Sequence, residues 1–254
     1  MPELEFALLD ETSFDEIPAP AQPGARCQTC DYWERMDGGR RAPEAEAPDA
    51  VARASLKRRR LLATAELTGS YAMLAYRSDA VGRSAVGYAQ FGPLAAYPRA
   101  QDIRDRYPQL PDSPAPWIVT CLQAGPIGSA EERAEIGLAL LGAVCTELDR
   151  RGITAVEAYP EGVHDPWLPS AGPASVYEAA DFTHAAGDER YPVYRRELTG
   201  ETDADAWSGL LRASAPPADD EDGWPLPLPA KRDPEDLFRL PPEGPKRPNP
   251  FGED

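Results

Sequence analysis

"GSAEERAEIGLALLGAVCTELDRRG", residues 128–152, reads as one long amphipathic helix, and its reading decides how the rest of the chain folds. Ile136, Leu140, Val144 and Leu148 recur at four-residue spacing, with Ala139, Ala143 and Cys145 beside them, so one apolar stripe runs at helical period. Such a stripe needs a sheet to lie on. The stretch before it, "PWIVTCLQA" (116–124), is almost continuously apolar, as a central strand covered on both faces must be. The stretch after it, "GITAVEAYPE" (152–161), has the alternation of a further strand, and strand, helix and strand make a βαβ-like unit.

Working outward, "EFALLDETSFDEIP" (5–18) opens with a short strand, and "ARCQTCDYWER" (25–35) suggests a second, aromatic-rich one. An Ala/Glu/Pro linker at 42–48 leads to Asp49, placed to cap a helix that runs to about Leu67. "SYAMLAYRS" (70–78) and "SAVGYAQFGPL" (84–94) read as two strands of a hairpin, and a short helix fits Ala100 to Tyr107. "SVYEAAD" (175–181) predicts another short helix, followed by a hairpin of "FTHAAG" (182–187) and "YPVYRREL" (191–198). The expected class is α/β (α+β), a mixed sheet of about six or seven strands flanked by helices. The expected domain is 1–199, with a disordered tail at 200–254 that holds 11 of the 29 prolines and 13 Asp/Glu against 6 Lys/Arg. Within that tail, "DADAWSGLLRA" and "DPEDLFRL" are short amphipathic pieces suited to docking a protein partner.

A formal charge of −17 argues against nucleic acid as a partner, because its phosphates need a protein that neutralises them. It favours a cationic partner, a small-molecule or peptide amine. The one basic cluster, Lys57 to Arg60, is expected to be a solvated helix face, or else a phosphate-contacting patch. The acidic N-terminus carries no export signal, and the longest apolar stretch is about half of a bilayer span, so a cytoplasmic protein without membrane contact is expected. Four cysteines suit a reducing compartment. Cys27 and Cys30 have the spacing of half a zinc site, with Cys121, Cys145, His164 and His184 as possible further ligands; a redox pair and two buried structural thiols are the other readings.

Segment by segment, the chain resembles the GNAT superfamily of acyl-CoA-dependent N-acyltransferases over residues 3–198. "FALLDETSFDEIPAPAQPGARCQTCDYWER" resembles the opening of a bacterial GNAT subgroup with a Cys-x-x-Cys-x-Tyr/Phe-Trp-Glu motif. "VGYAQFGP", "YPRA" and "YPQLPDSPAPWIVTCL" are similar to its middle; "AVEAYPE" and "VYEAADFTHAAGDERYPVYRREL" are similar to its C-terminal half. The resemblance implies a sheet splayed open between the strands around Trp117–Ala124 and Thr154–Tyr159. It also implies acetyl-CoA as co-substrate, its pantetheine arm running along Leu122, Gln123 and Ala124. The implied chemistry is direct attack of an amine on the thioester, with Tyr177 in "YEAADF" reprotonating the thiolate, or alternatively packed as core. Glu157 is the nearest candidate base, unless alternation points it into solvent.

The same resemblance assigns the cofactor's pyrophosphate to backbone amides at the start of the long helix, from Arg133 and Ala134 through Ile136, Gly137 and Leu138 to Ala139, held by unpaired N–H groups and the helix dipole. In "ERAEIG", Glu132 and Glu135 stand where Arg/Gln and glycine belong, and only Gly137 remains. Each glutamate near a pyrophosphate costs about 1 kcal/mol in a water-like dielectric. Ser129 and Glu132 also have the spacing of a capping box, which would start the helix early and consume those amides. An N-acetyltransferase and a catalytically inactive GNAT-fold binding or regulatory protein are therefore both expected readings.

Overall fold

The computed structural model describes residues 3–21, 26–35, 50–80, 82–160, 171–188 and 192–199. Compact units span Met1–Gly209 and Leu210–Asp254, and the second lies outside the described residues, as do the two tail segments, Asp49 and His164. In the first unit seven strands form one mixed sheet in the order β1-β2-β3-β4-β5-β7-β6. They are β1 (Leu4–Leu8), β2 (Ala72–Asp79), β3 (Gly82–Pro93), β4 (Trp117–Ala124), β5 (Ala155–Ala158), β6 (Thr183–Ala186) and β7 (Val193–Glu197). Only β4 and β5 are parallel; the other neighbours are antiparallel. The helices are α1 (Ala50–Leu61), α2 (Pro98–Arg104), α3 (Ala130–Arg150) and α4 (Ala174–Ala179). The α/β class and the helix-flanked, seven-stranded sheet are as expected.

The sheet is covered on both faces. Ile136, Leu140, Val144 and Leu148 of α3 are fully or nearly fully buried, and with Leu141 and Cys145 they join Val119, Leu122, Val156, Ala158, Val176 and Tyr177 in one core. The opposite face packs Leu61, Leu74, Tyr88, Tyr97, Ile103, Ile118 and Cys121 with Phe14, Ile17 and Trp33. Gly87 sets how closely α3 approaches: a β-carbon there would lie 3.1 Å from Ile136 Cγ2 and 3.3 Å from Leu140 Cδ2.

Two expectations are corrected. "ARCQTCDYWER" is not a strand: Cys27–Thr29 form a 3-10 turn and Tyr32–Glu34 a second turn, closed by Thr29 N–H to Arg26 O (3.1 Å) and Glu34 N–H to Asp31 O (3.2 Å). Its aromatic residues are inward because they pack under α1 and against Tyr159, not because they alternate. Helix α1 also ends at Leu61 and passes into turns, short of Leu67. Leu61 O instead accepts from Tyr71 N–H at 2.8 Å, which carries the chain straight into β2.

Replacing Gly87 by Ala should destabilise the domain by about 1–3 kcal/mol, because α3 and Ala75 must both yield. Gly142 lies on α3 with nothing within 4 Å of its β-carbon position, so Gly142→Ala should stabilise by about 0.5–1 kcal/mol. Urea midpoints moving in the same direction for both variants would contradict this packing.

Candidate functional site

The sheet opens at β4. Trp117, Ile118 and Val119 pair with Val156, Glu157 and Ala158, after which β5 stops and β4 runs on to Ala124. At the same place β4 carries a bulge: Val119 faces Phe91 and Cys121 faces Gln90, leaving Thr120 without a partner in β3. Its hydroxyl donates to Gln90 O at 3.2 Å. The extra residue turns the alternation over, so Val119 and Leu122 both face α3 while Ile118 and Cys121 face α1 and α2.

Beyond the bulge, Leu122 is buried and Gln123 and Ala124 are half-buried. The Leu122 side chain lies 4.0 Å from the β-carbon position of Gly137 and 3.5 Å from that of Gly172. Gly172, at φ +86°, approaches the Leu122 carbonyl so closely that a β-carbon would sit 3.4 Å from the oxygen. Part of the edge assigned to a pantetheine arm is therefore met by the chain's own Ala171–Gly172 segment.

The amide cradle expected at Arg133–Ala139 is not formed. Ser129 caps α3, its hydroxyl accepting from Glu132 N–H at 3.2 Å, and Arg133 N–H already bonds Ser129 O at 3.1 Å. Helical geometry then commits the amides of Ala134, Ile136, Gly137, Leu138 and Ala139 to carbonyls one turn back. The side chains close the site further. Glu132 folds over Gly128, whose φ is +56°, and pairs with Arg77 of β2 at 2.8 Å. Arg133 donates to Gly128 O at 2.9 Å and Ile127 O at 3.4 Å. The Glu131 carboxyl is held below its ordinary value, first by the Ser129 hydroxyl and then by its own amide. The start of α3 thus carries its own anions and does not fit a pyrophosphate as it stands.

Tyr177 is fully buried on α4, its hydroxyl donating to Ala171 O at 2.5 Å and its ring edge-on to Phe182. Burial, then Cys121 and Cys145, push its pKa well above the usual phenol value. Glu157 is also fully buried, which answers the alternation question, but the expectation of a base there is corrected by its contacts. Oε2 accepts from Arg104 Nε at 3.1 Å and Oε1 from Arg195 Nη1 at 2.8 Å. With both oxygens on guanidinium groups and Tyr159 O–H also reaching Oε2 at 3.5 Å, the carboxylate ties α2 to β5 and β7 as a buried ion-pair anchor.

Sequence reasoning missed a second buried charge cluster, under α1. Lys57 is 3% exposed, not part of a solvated face; at helical spacing it falls beside Leu61 rather than beside Arg59. Its Nζ donates to Glu34 Oε1 and Gln90 Oε1, both at 2.6 Å, and Gln90 Nε2 reaches the same Glu34 oxygen at 2.9 Å. Burial alone would lower the Lys57 pKa, but Glu34 and then Cys121 and Cys30 outweigh it and the net shift is upward. Glu34 Oε2 and Trp33 Nε1 are buried without a partner. The "CQTCDYWE" motif is thereby explained: Cys27 and Cys30 lie near Lys57, Trp33 stacks on Tyr159, and Glu34 holds the lysine. Among the described residues no group of His, Cys, Asp and Glu could hold a metal ion. Cys27 is pushed up to about 12 by burial and by Cys30, the state of an inert structural thiol.

Removing one partner of this pair leaves an uncompensated buried charge, so Lys57→Met should cost about 3–5 kcal/mol, and adding Glu34→Gln should recover most of that. Because the folded lysine pKa is raised, its contribution is complete below the ordinary 10.5 and is lost only as pH climbs through the higher folded value. The wild-type advantage over the double variant, read from urea unfolding, should accordingly stay level between pH 6 and 9; a slope in that window would contradict the assignment.

No protein-family model matches the chain, and no curated protein matches it. Solved structures do. A mosquito arylalkylamine N-acetyltransferase-like 5b is 10% identical, covers 77% of this chain and 100% of its own, with a TM-score of 0.44. A histone acetyltransferase HPA2 and related acetyltransferase from Corynebacterium glutamicum is 16% identical over 78% of this chain and 98% of its own, with a TM-score of 0.44. The putative acetyltransferase yncA from Salmonella typhimurium, solved with its cofactor acetyl-CoA, is 11% identical over 77% and 94%, with a TM-score of 0.41. Among the described residues no helix is long and apolar enough to cross a membrane.

Proposed function

We propose that this chain is a GNAT-type N-acetyltransferase that passes an acetyl group from acetyl-CoA to a primary amine by direct attack, in the cytoplasm. The observation that carries the reading is the opening at β4. Past Val119, the strand continues to Ala124 with no further sheet strand on its outer side among the described residues, directly beside a bulge at Thr120. An extended arm can add along such an edge by backbone hydrogen bonding. The donor would supply a thioester carbonyl there.

The chain's own residues divide the remaining work. Leu122, Gln123 and Ala124 orient the arm. Glu34 has one oxygen held by Lys57 and Gln90, as Glu157 is held by Arg104 and Arg195, so neither carboxylate is assigned as the base. Tyr177 returns a proton to the departing thiolate once that sulfur replaces the Ala171 carbonyl as its acceptor. As it stands the start of α3 does not fit the pyrophosphate; Arg77, whose Nε and Nη2 are buried without partners, would hold it only if Glu132 left Arg77 Nη1.

A second reading has its own observation. The capped first turn of α3, with Glu131 and Glu132 on its dipole, favours a GNAT-fold protein that binds without catalysing.

Calorimetry with acetyl-CoA separates the two. Weak binding by the wild type is expected, with affinity about tenfold higher for Glu132→Gln, because one repelling charge is gone and Arg77 is released. Equal affinities would remove Glu132 from the account, and no binding by either protein at millimolar ligand would leave only the non-catalytic reading. Where binding occurs, Tyr177→Phe should slow release of free CoA in the presence of amines by at least tenfold; unchanged turnover would take Tyr177 out of the mechanism.

A further inference from the structure

Outside the β4 opening, the described residues form a groove of about 620 Å³ between the N-terminal segment and α1. That is the size of a small-molecule site. Its walls are mainly apolar, with Phe14, Ile17, Pro18, Pro20, Val51 and Ala54 on them. Val51 is 74% exposed, a large apolar side chain left in water at the groove's rim.

The groove's charges are few, and they differ in what is already satisfied. Asp15, its one carboxylate, is held by Arg58 at 3.0 Å, and Arg58 also lies over the Phe14 ring at 4.6 Å. The Cys27 thiol is neutral at physiological pH, since burial pushes it up to about 12. Arg26 remains, exposed and with no ion-pair partner among the described residues. Among the described residues the groove therefore offers an apolar bed and one open cation, and its one carboxylate is already paired.

The groove also borders the opening. A β-carbon at Gly125, the residue after β4, would lie 3.6 Å from Pro18 Cβ and 3.9 Å from Ala19 O, and Pro18 and Ala19 are groove walls. A molecule lying in the groove thus has one end at the terminus of the strand along which the acyl donor is proposed to run.

We infer that the groove seats the acyl acceptor, and that the acceptor is an apolar amino-carboxylate rather than a polyamine or basic peptide. This assignment rests on the acetyl-transfer reading for the fate of the amine, but not for binding itself. The carboxylate pairs with Arg26, and the apolar body lies on Phe14, Ile17, Val51 and Ala54. Among the described residues a polycation finds no unpaired carboxylate in the groove, and it meets Arg26 as a like charge. The strong negative charge of the whole chain thus does not choose the substrate: the local balance in the groove does.

Titration calorimetry without any acyl donor tests this with three probes: L-phenylalanine, phenethylamine and spermidine. L-Phenylalanine should bind and should be preferred over spermidine. Arg26→Gln, an exposed substitution that leaves the fold intact, should weaken L-phenylalanine by about tenfold while leaving phenethylamine unchanged. Ala54→Phe, which fills the groove, should weaken both. Spermidine binding as tightly as L-phenylalanine, no binding of L-phenylalanine, or an Arg26→Gln variant with undiminished affinity would each overturn the assignment. A parallel assay with acetyl-CoA added separates the two claims: L-phenylalanine binding without acetylation would refute acetyl transfer alone, and acetylation of spermidine without L-phenylalanine binding would refute the groove alone.

Discussion

The structure depends on a ladder that is too short. Two parallel strands at the centre of the sheet share only the pairs from Trp117 with Val156 to Val119 with Ala158. Backbone groups buried in a protein interior must find partners or face solvent, so ending β5 while β4 continues forces other elements to deal with the exposed edge. Ala171 and Gly172 come up to Leu122, Tyr177 fixes Ala171 from behind, and Gly137 on α3 leaves room for Leu122 between them. The bulge at Thr120 belongs to the same arrangement. Without its extra residue, Leu122 would face α1 rather than α3 and the two cores would exchange members.

The two faces of the sheet solve different problems. The α3 face is apolar and close-packed, with Gly87 removing a side chain where helix and sheet meet. The α1 and α2 face contains two buried ionic clusters, Lys57 with Glu34 and Glu157 with Arg104 and Arg195. Buried charges of this kind give little net stability over apolar residues of the same volume. They do specify geometry, however. Lys57 joins α1 to β3 and to the turn at Glu34, and Glu157 joins α2 to β5 and β7, so each cluster positions a piece of chain that borders the opening.

What was legible in the sequence follows from this difference. The α3 stripe, the apolar run of β4, the β2–β3 hairpin and the order of the later elements were readable because apolar periodicity is a local property, decided within a few neighbouring residues. Residues 27–34 were not, since their inward-facing aromatic and sulfur side chains imitate a strand while the backbone is turned. Lys57 was read as solvated because a charged residue normally signals solvent, and Glu157 as a candidate base because its cations are remote in sequence; only partners 23 to 53 residues away in the chain make burial of either tolerable. The capped start of α3 was readable because Ser129 and Glu132 are three residues apart, although the seating of Glu132 on Arg77 from β2 was not.

Where α3 begins has a further effect, on the direction of the protein's electric field. From Ala130 to Gly137 is about 10 Å of helix at 1.5 Å per residue. The positive pole of the helix therefore lies about that far from Gly137, the one glycine of the phosphate pattern that remains. It is spent among Glu131, Glu132 and Arg77, a small self-neutralised constellation. Any anion drawn to this end of the molecule from solution would meet a nearly quenched potential, and its capture would have to be driven by short-range contacts instead of long-range attraction.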